Sequence, residues 1–148
     1  MNIKRATLDD VDLLAPMLDA YRVFYKQDSD IRACRLFLQQ RLGNDESVVF
    51  FAQINNTPVG FTQLYRSFSS VSLKPVFILN DLYVDHGHRK KGVGEALLNA
   101  AKDHCITKKF KGLALETAKD NPAQKLYERL EWQKDSQCFH YFWTAPIS

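Results

Sequence analysis

The sequence predicts an α/β domain of three layers, with a mixed, mostly antiparallel sheet, one parallel β-α-β crossover and helices on both faces. Helical periodicity dominates the first 43 residues, and strand patterns dominate residues 47–84. A helical pattern flanked by strand patterns then follows, which is typical of a right-handed crossover between parallel strands. The 148 residues suit a single domain over residues 1–148.

The N-terminal elements are a short strand and two helices. Residues 2–5 can form the strand, and Thr7 with Asp10 resembles a capping box at a helix start. That helix is expected to run to about Tyr25, with one apolar face formed by Val11, Leu14, Leu18 and Tyr21. The second helix is predicted over residues 29–43, because Gly43 suits a left-handed C-cap.

The middle of the chain has a β pattern. Residues 48–52 and 59–65 read as a hairpin around the turn residues 55–58. A polar stretch, residues 66–72, leads to a further strand at residues 76–84, which is rich in β-branched and aromatic side chains.

The remaining elements follow a strongly amphipathic helix. Its apolar stripe begins at Val93 and the helix reaches about Lys108, and the next strand is predicted at residues 112–117. Asn121 and Pro122 signal the cap and first turn of a fourth helix. Final strands are expected at residues 133–135 and 138–144.

Composition excludes several classes of protein. A formal charge of +3 without a basic stripe disfavours a nucleic-acid binder. The charged N-terminus and the absence of a run of about 20 apolar residues predict no signal peptide and no membrane span. Three widely spaced cysteines indicate reduced thiols, so a cytoplasmic protein is expected. We predict no metal site, because the histidines lack acidic or cysteine partners at ligand spacing.

The segment between the strand at residues 76–84 and the following helix has the chemistry of a phosphate site. Gly92 and Gly94 let an anion approach the backbone, and the first amides of the helix point towards it. Arg89, Lys90 and Lys91 add positive charge at the same place. This combination predicts a site for a phosphate or pyrophosphate group.

Other phosphate loops fit the segment poorly. A Walker loop needs Lys and Ser or Thr after its second glycine, where this chain has Val93 and Gly94. A dinucleotide fingerprint needs a small residue at position 97, which is Leu97. The remaining alternative is that the two glycines only shape a tight loop with a solvated basic rim.

The motif Arg89-x-x-Gly92-x-Gly94 resembles the signature of the GNAT N-acetyltransferases. A second block, residues 121–132, is similar to that family's Asn-x-x-Ala-x-x-Leu-Tyr-x-x-x-Gly-Trp/Phe block. Glu131 stands where the family usually has glycine, which is expected to strain the turn after the fourth helix.

The resemblance implies acetyl-CoA as cosubstrate, no metal, and a set of binding residues. The loop amides would hold the pyrophosphate, the preceding strand would pair with the pantetheine arm, and Asn121 and Tyr127 would approach the arm and its thiol. The implied binding residues are Leu82, Tyr83, Val84, Arg89, Lys90, Lys91, Gly92, Val93, Gly94, Glu95, Asn121 and Tyr127.

Candidate catalytic residues are Tyr127, Asp81 and Glu116. Tyr127 is expected to protonate the leaving thiolate, although an inward tyrosine can also be ordinary core packing. Residues 76–84 look closest to diamine and amino-acid acetyltransferases, which usually have Glu-Asp where this chain has Asn80-Asp81. Asp81, with Glu116 in support, is therefore the candidate to bind or deprotonate the amine, unless both are ordinary strand-end carboxylates.

The expected activity is direct acetyl transfer to a primary amine of a small molecule. Two alternatives stay open at this point: a protein N-terminus or lysine as acceptor, and a CoA-binding regulatory domain without turnover. We expect a small-molecule partner, no nucleic acid and no membrane, and a homodimer is possible.

Overall fold

A five-stranded sheet in the order β1-β2-β3-β4-β5 organises residues 1–116. The first three pairs of neighbours are antiparallel, and β4 and β5 are parallel. The strands are β1 (Asn2–Arg5), β2 (Ser47–Ile54), β3 (Thr57–Ser69), β4 (Lys74–Val84) and β5 (Leu113–Ala114). The predicted mixed sheet with one parallel crossover is confirmed.

The computed structural model describes residues 1–147, which form two compact units, residues 1–116 and residues 117–147. The prediction of a single domain over residues 1–148 stays a prediction, and Ser148 lies outside the described residues. The helices are α1 (Val11–Phe24), α2 (Ile31–Gly43) and α3 (Val93–Lys108) in the first unit and α4 (Gln124–Arg129) in the second.

Helices cover both faces of the sheet in the first unit. Leu14 and Leu38 of α1 and α2 pack against Phe51 and Phe61 on one face. On the other face, Val93 and Leu97 of α3 pack against Ala52 and Val59. Leu14, Leu38, Phe51, Phe61 and Leu97 are at most 3% exposed, so the predicted three-layer arrangement is confirmed.

The predicted capping box at Thr7 is confirmed. The Asp10 carboxylate accepts from the Thr7 amide at 2.8 Å, and the Thr7 hydroxyl accepts from the Asp9 amide at 3.3 Å. The cap opens a short 3-10 turn, Leu8–Asp10, that leads directly into α1. Reciprocal capping satisfies amides that a helix start leaves without partners.

Strand boundaries differ from the prediction at the β3–β4 hairpin. The strand predicted at residues 59–65 extends into the polar stretch at residues 66–72, since β3 continues to Ser69, which pairs with Lys74. Arg66 and Phe68 are exposed on this extension. This part of the hairpin is a two-stranded ribbon that is exposed to solvent. Its backbone hydrogen bonds form without a buried face, so its side chains can be polar.

The strand predicted at residues 112–117 is much shorter in the structure. Only Leu113 and Ala114 pair with β4, opposite Phe77 and Ile78. Just beyond this point the β3–β4 register shifts, so that Asn80 is an extra residue in β4. Such a bulge bends its strand, and the pairing of β5 with β4 ends where the bend begins.

The strands predicted at residues 133–135 and 138–144 are wrong. Within residues 130–147 the structure contains no strand, and Phe139 and Trp143 are exposed. The Asp135 carboxylate accepts from the Gln137 amide at 2.9 Å, an Asx-type turn. This local hydrogen bond competes with strand pairing, and the alternating pattern could not reveal it.

None of the helices within residues 1–147 combines the length and the apolar content that crossing a bilayer requires.

Candidate active site

The predicted phosphate loop lies between β4 and α3 in the first unit. Gly92 is the N-cap of α3 and has φ +82°, a conformation that favours glycine. The Ala96 amide donates to the Gly92 carbonyl at 3.1 Å, which is the first bond of the helix. The amides that precede Ala96, from Val93 onwards, therefore have no carbonyl of the same helix to bind, and an anion can accept from them.

The three cations of the loop differ in their surroundings. Arg89 Nε donates to the Val84 carbonyl at 3.0 Å, and its guanidinium lies 5.4 Å from the ring centre of Phe24. Lys90 and Lys91 are exposed, and Lys90 has φ +63°. Arg89 thus fastens the loop to the end of β4 and to α1, while the two lysines present their charge to solvent.

Gly60 positions the start of α3, a role that its place in an alternating strand did not reveal. A Cβ atom at Gly60 would lie 2.8 Å from the Tyr83 carbonyl oxygen. It would also lie 3.1 Å from Val93 and 3.3 Å from Leu97. The close approach of α3 to β3 and β4 therefore depends on the absence of a side chain at this position.

Gly60→Ala should lower the free energy of unfolding by about 1–3 kcal/mol, the usual cost of overpacking a core. Because the added methyl group meets the first turn of α3, CoA affinity should fall as well. Urea unfolding and calorimetry measure the two effects.

Gly112→Ala is the matched control, since a Cβ atom there meets nothing within 4 Å. Equal stability and equal CoA affinity in Gly60→Ala and the parent protein would refute the positioning role of Gly60.

The outer edge of β4 is open in the first unit beyond the bulge. Residues 81–84 pair with β3 on one side only, through Gln63, Thr62, Phe61 and Gly60, and β5 reaches no further than Ile78. Backbone amides and carbonyls of this edge need partners. Leu82 and Tyr83 are thus placed for the predicted pairing with an extended polar chain.

Asp81 is the centre of a buried polar cluster on the α1 side of the sheet. Its carboxylate accepts from Gln63 Nε2 at 2.8 Å and from Asn80 Nδ2 at 3.0 Å, and Tyr21 also hydrogen-bonds to it. Asp81 is 7% exposed. Within residues 1–147, the buried Gln63 Oε1 has no hydrogen-bond partner.

Burial sets the acid–base properties of this cluster. It raises the pKa of Asp81, and the hydrogen bonds from Gln63, Tyr21 and Asn80 oppose that rise. Burial and the neighbouring Asp81 carboxylate raise the pKa of Tyr65 to about 12 and also raise the pKa of Tyr21. A carboxyl with a raised pKa is a better proton acceptor than an exposed one.

Glu116 does not share this environment. It is exposed and lies two residues beyond the end of β5, so it is not on a strand as predicted. Its catalytic role stays a prediction that rests on sequence alone.

Asn121, Tyr127 and Glu131 belong to the second unit. The Asn121 Oδ1 atom accepts from the Ala123 amide at 2.9 Å just before α4. Tyr127 is 9% exposed, and its ring centre lies 6.0 Å from that of Trp132. Glu131 has φ +69°, which confirms the expected strain at the position where glycine is usual.

The structure brings together the open edge of β4, the loop at residues 86–92 and the start of α3 around one surface of the first unit. The approach of Asn121 and Tyr127 to a bound cofactor stays a prediction. Sequence reasoning missed Gln63 and Tyr21, the partners of Asp81. A polar glutamine inside an otherwise apolar strand was the one signal that could have found Gln63.

Comparisons with known proteins identify the family of this chain. The sequence model of the acetyltransferase (GNAT) family matches residues 14–132. The chain belongs to the acetyltransferase (GNAT) family, and it is an acetyltransferase by that membership.

Similar proteins cover nearly the whole chain. An uncharacterized N-acetyltransferase of Bacillus subtilis, YhfO, is 44% identical over 147 residues, which are 99% of each chain. The crystal structure of a probable acetyltransferase is 42% identical, with a TM-score of 0.91 over 100% of this chain and 99% of that one. An aminoglycoside acetyltransferase from an uncultured soil metagenomic sample, in complex with trehalose, is 25% identical, with a TM-score of 0.83 over 98% and 96%.

Proposed function

We propose that the protein transfers the acetyl group of acetyl-CoA to the primary amine of a small cationic molecule. The observation that carries the cofactor assignment is the start of α3, where Gly92 at φ +82° opens the backbone beside Lys90 and Lys91. Those groups suit a pyrophosphate, because amides at a helix start and nearby cations both favour negative charge.

The remaining cofactor contacts follow the open edge of β4. The backbone of Leu82 and Tyr83 would bind the pantetheine arm, whose amides can pair with a strand edge as another strand does. Val84 contributes less, because its carbonyl already accepts from Arg89. Bound acetyl-CoA supplies an activated acetyl group, and Asn121 and Tyr127 are proposed to approach the arm and the sulfur.

Proton transfer is assigned to the chain's own side chains. A free alkylamine is largely protonated near neutral pH, so its nitrogen must lose a proton before it forms the amide bond. We assign this step to Asp81, directly or through water, with Glu116 in support. Tyr127 would donate the proton that the thiolate needs as the carbon–sulfur bond breaks.

A small cationic acceptor is supported by the Asp81 cluster. Asp81 and Gln63 Oε1 are two acceptors without a fixed cation beside them, and both suit the N–H groups of an ammonium. The aminoglycoside acetyltransferase similar to this chain is named for a small molecule rather than a protein. No diamine specificity is proposed, because Asn80 replaces the glutamate usual in those relatives.

Thiol release from acetyl-CoA across a panel of amines tests the proposal. Diamines, amino acids, aminoglycosides and a peptide with a free N-terminus should be compared at equal concentration. We expect turnover with at least one small cationic amine. Turnover with peptides alone would favour a protein acceptor, and CoA binding without any turnover would favour a regulatory domain.

Asp81→Asn should lower the acetylation rate most at lower pH, where the amine arrives charged, and least at high pH, where free amine is abundant. The measurement is the pH profile of kcat and kcat/KM. Asp103→Asn, on the exposed surface of α3, is the matched control. A profile parallel to that of the parent protein, with unchanged KM, would contradict the role of Asp81.

The same variant has a predicted effect on stability. Because burial raises the pKa of Asp81 above its ordinary value of 3.8, its contribution to folding is complete below pH 3.8. That contribution is lost as pH rises through the raised pKa of the folded state. Asp81→Asn should remove this part of the pH dependence of unfolding, which checks the raised pKa independently of activity.

A further inference from the structure

A cavity of about 130 Å³ lies at the far end of α3 from the phosphate loop. It is lined by residues of α3 (His104 and Lys108), of β1 and β3 (Arg5 and Arg66), and of β4 (Phe77). Val93 and Lys108 are fifteen residues apart in α3, so at 1.5 Å per residue the two ends are separated by about 22 Å. The cavity is therefore distinct from the cofactor site.

Positive charge predominates around this cavity. Across residues 1–147 no ion pair holds the side chains of Arg5, Arg66 or Lys108. Two carboxylates, Asp45 and Glu46, also line the cavity, and Glu46 is bound by Arg41 Nε at 3.0 Å. Among the described residues, the lining thus has three cations and one unpaired carboxylate, that of Asp45. The resulting excess of positive charge favours the binding of an anion.

Two buried polar atoms of the lining lack partners within the described part of the chain. They are His104 Nε2 and Ser47 Oγ, and Ser47 is 6% exposed. The His104 ring lies between Phe50 and Phe77, with centroid distances of 5.6 and 5.4 Å. Buried polar groups are nearly always satisfied, so these two atoms point to a ligand or water in the cavity.

The rest of the lining is apolar. Val48 and Phe110 are half-buried, and the Phe110 ring stacks on that of Phe77 with centroids 4.3 Å apart. An inorganic anion would leave this surface without a partner. Since a water molecule occupies about 30 Å³ in the liquid, the cavity of about 130 Å³ has room for about four water-sized groups.

We propose that this cavity is a binding site for a short-chain carboxylate, with its carboxylate held by Arg5, Arg66 and Lys108 and its alkyl part against Val48 and Phe110. His104, as the Nε2–H tautomer, donates a further hydrogen bond to the anion. The ligand class follows from charge at the rim, an apolar floor and a volume of a few carbon atoms.

The titration of His104 provides a readout. Burial lowers the pKa of His104, and the positive charges of Arg5 and Lys108 lower it further. A bound carboxylate opposes those two charges, so it raises this pKa. By linkage, the anion binds more tightly as pH falls. Arg66, Asp45 and Glu46 line the same cavity, and the effect of each charge on the pKa of His104 falls with its distance from the ring.

The experiment is a titration of the full chain with butyrate in the presence of excess CoA. Proton–carbon NMR of the histidine rings monitors the titration. The chain has four histidines, and His86 and His88 lie in the phosphate loop. They report any anion that binds there instead. We expect a saturable shift of His104 alone, with a dissociation constant on the order of 1 mM, within ligand-efficiency limits for six non-hydrogen atoms.

Variants and probes make the result decisive. Arg66→Gln should weaken butyrate binding about 5-fold or more, as loss of a charged partner does, whereas Arg32→Gln on the exposed surface of α2 should not. Neutral butyramide should leave His104 unshifted. An unmoved His104, an equal response to butyramide or to phosphate, or equal affinity in Arg66→Gln would each overturn the proposal.

Discussion

Tyr127→Phe is expected to lower turnover about 100-fold or more, because it removes only the proton that the leaving thiolate needs. Tyr127 is 9% exposed and packs near Trp132, and phenylalanine fills the same space. CoA affinity and stability should therefore stay close to those of the parent protein. Single-turnover kinetics measure the chemical step, and calorimetry measures the affinity.

Tyr141→Phe is the matched control for this variant. Tyr141 also lies in the second unit and is 89% exposed, so loss of its hydroxyl should change neither turnover nor affinity. If Tyr127→Phe turned over as fast as the parent when chemistry limits the rate, Tyr127 would be a packing residue. The proton for the thiolate would then come from solvent or another group.

Much of the fold could be predicted because its signals are local. The capping box at Thr7 and the apolar stripe of α3 depend on residues within one or two turns of each other. The phosphate loop was predictable for the same reason, since two glycines and three cations stand within six residues.

Features that depend on distant contacts could not be predicted. The bulge at Asn80 is a matter of register between β3 and β4, and neither strand shows it alone. Gly60 looks like an ordinary strand residue until α3 is packed against it. Two of the donors around Asp81, Tyr21 and Gln63, come from α1 and β3 and lie up to 60 residues away in the chain. The segment around Asp135 was mispredicted although its key contact is local. Its alternating pattern predicted strands, but the Asp135 carboxylate accepts from the Gln137 amide in an Asx turn.

Gly92→Val is expected to weaken CoA binding about 100-fold while the protein stays folded. A Cβ atom at Gly92 meets nothing within 4 Å, so the added side chain does not clash with the protein itself. It occupies the space that the pyrophosphate would fill. The left-handed φ of +82° also costs a non-glycine residue about 1–2 kcal/mol, and relief of that strain turns the first amides of α3 away from the anion.

Gly87→Val separates this effect from general disturbance of the loop. Gly87 lies in the same loop without a left-handed φ, and a Cβ atom there would only reach the Asp85 carboxylate, at 3.9 Å. This control should keep CoA affinity within a few-fold of the parent protein. Calorimetry with CoA on both variants, after circular dichroism has verified folding, makes the comparison. A valine side chain at position 92 would block any ligand that accepts from the amides after Gly92. Undiminished CoA affinity in the folded Gly92→Val protein would therefore place the pyrophosphate elsewhere.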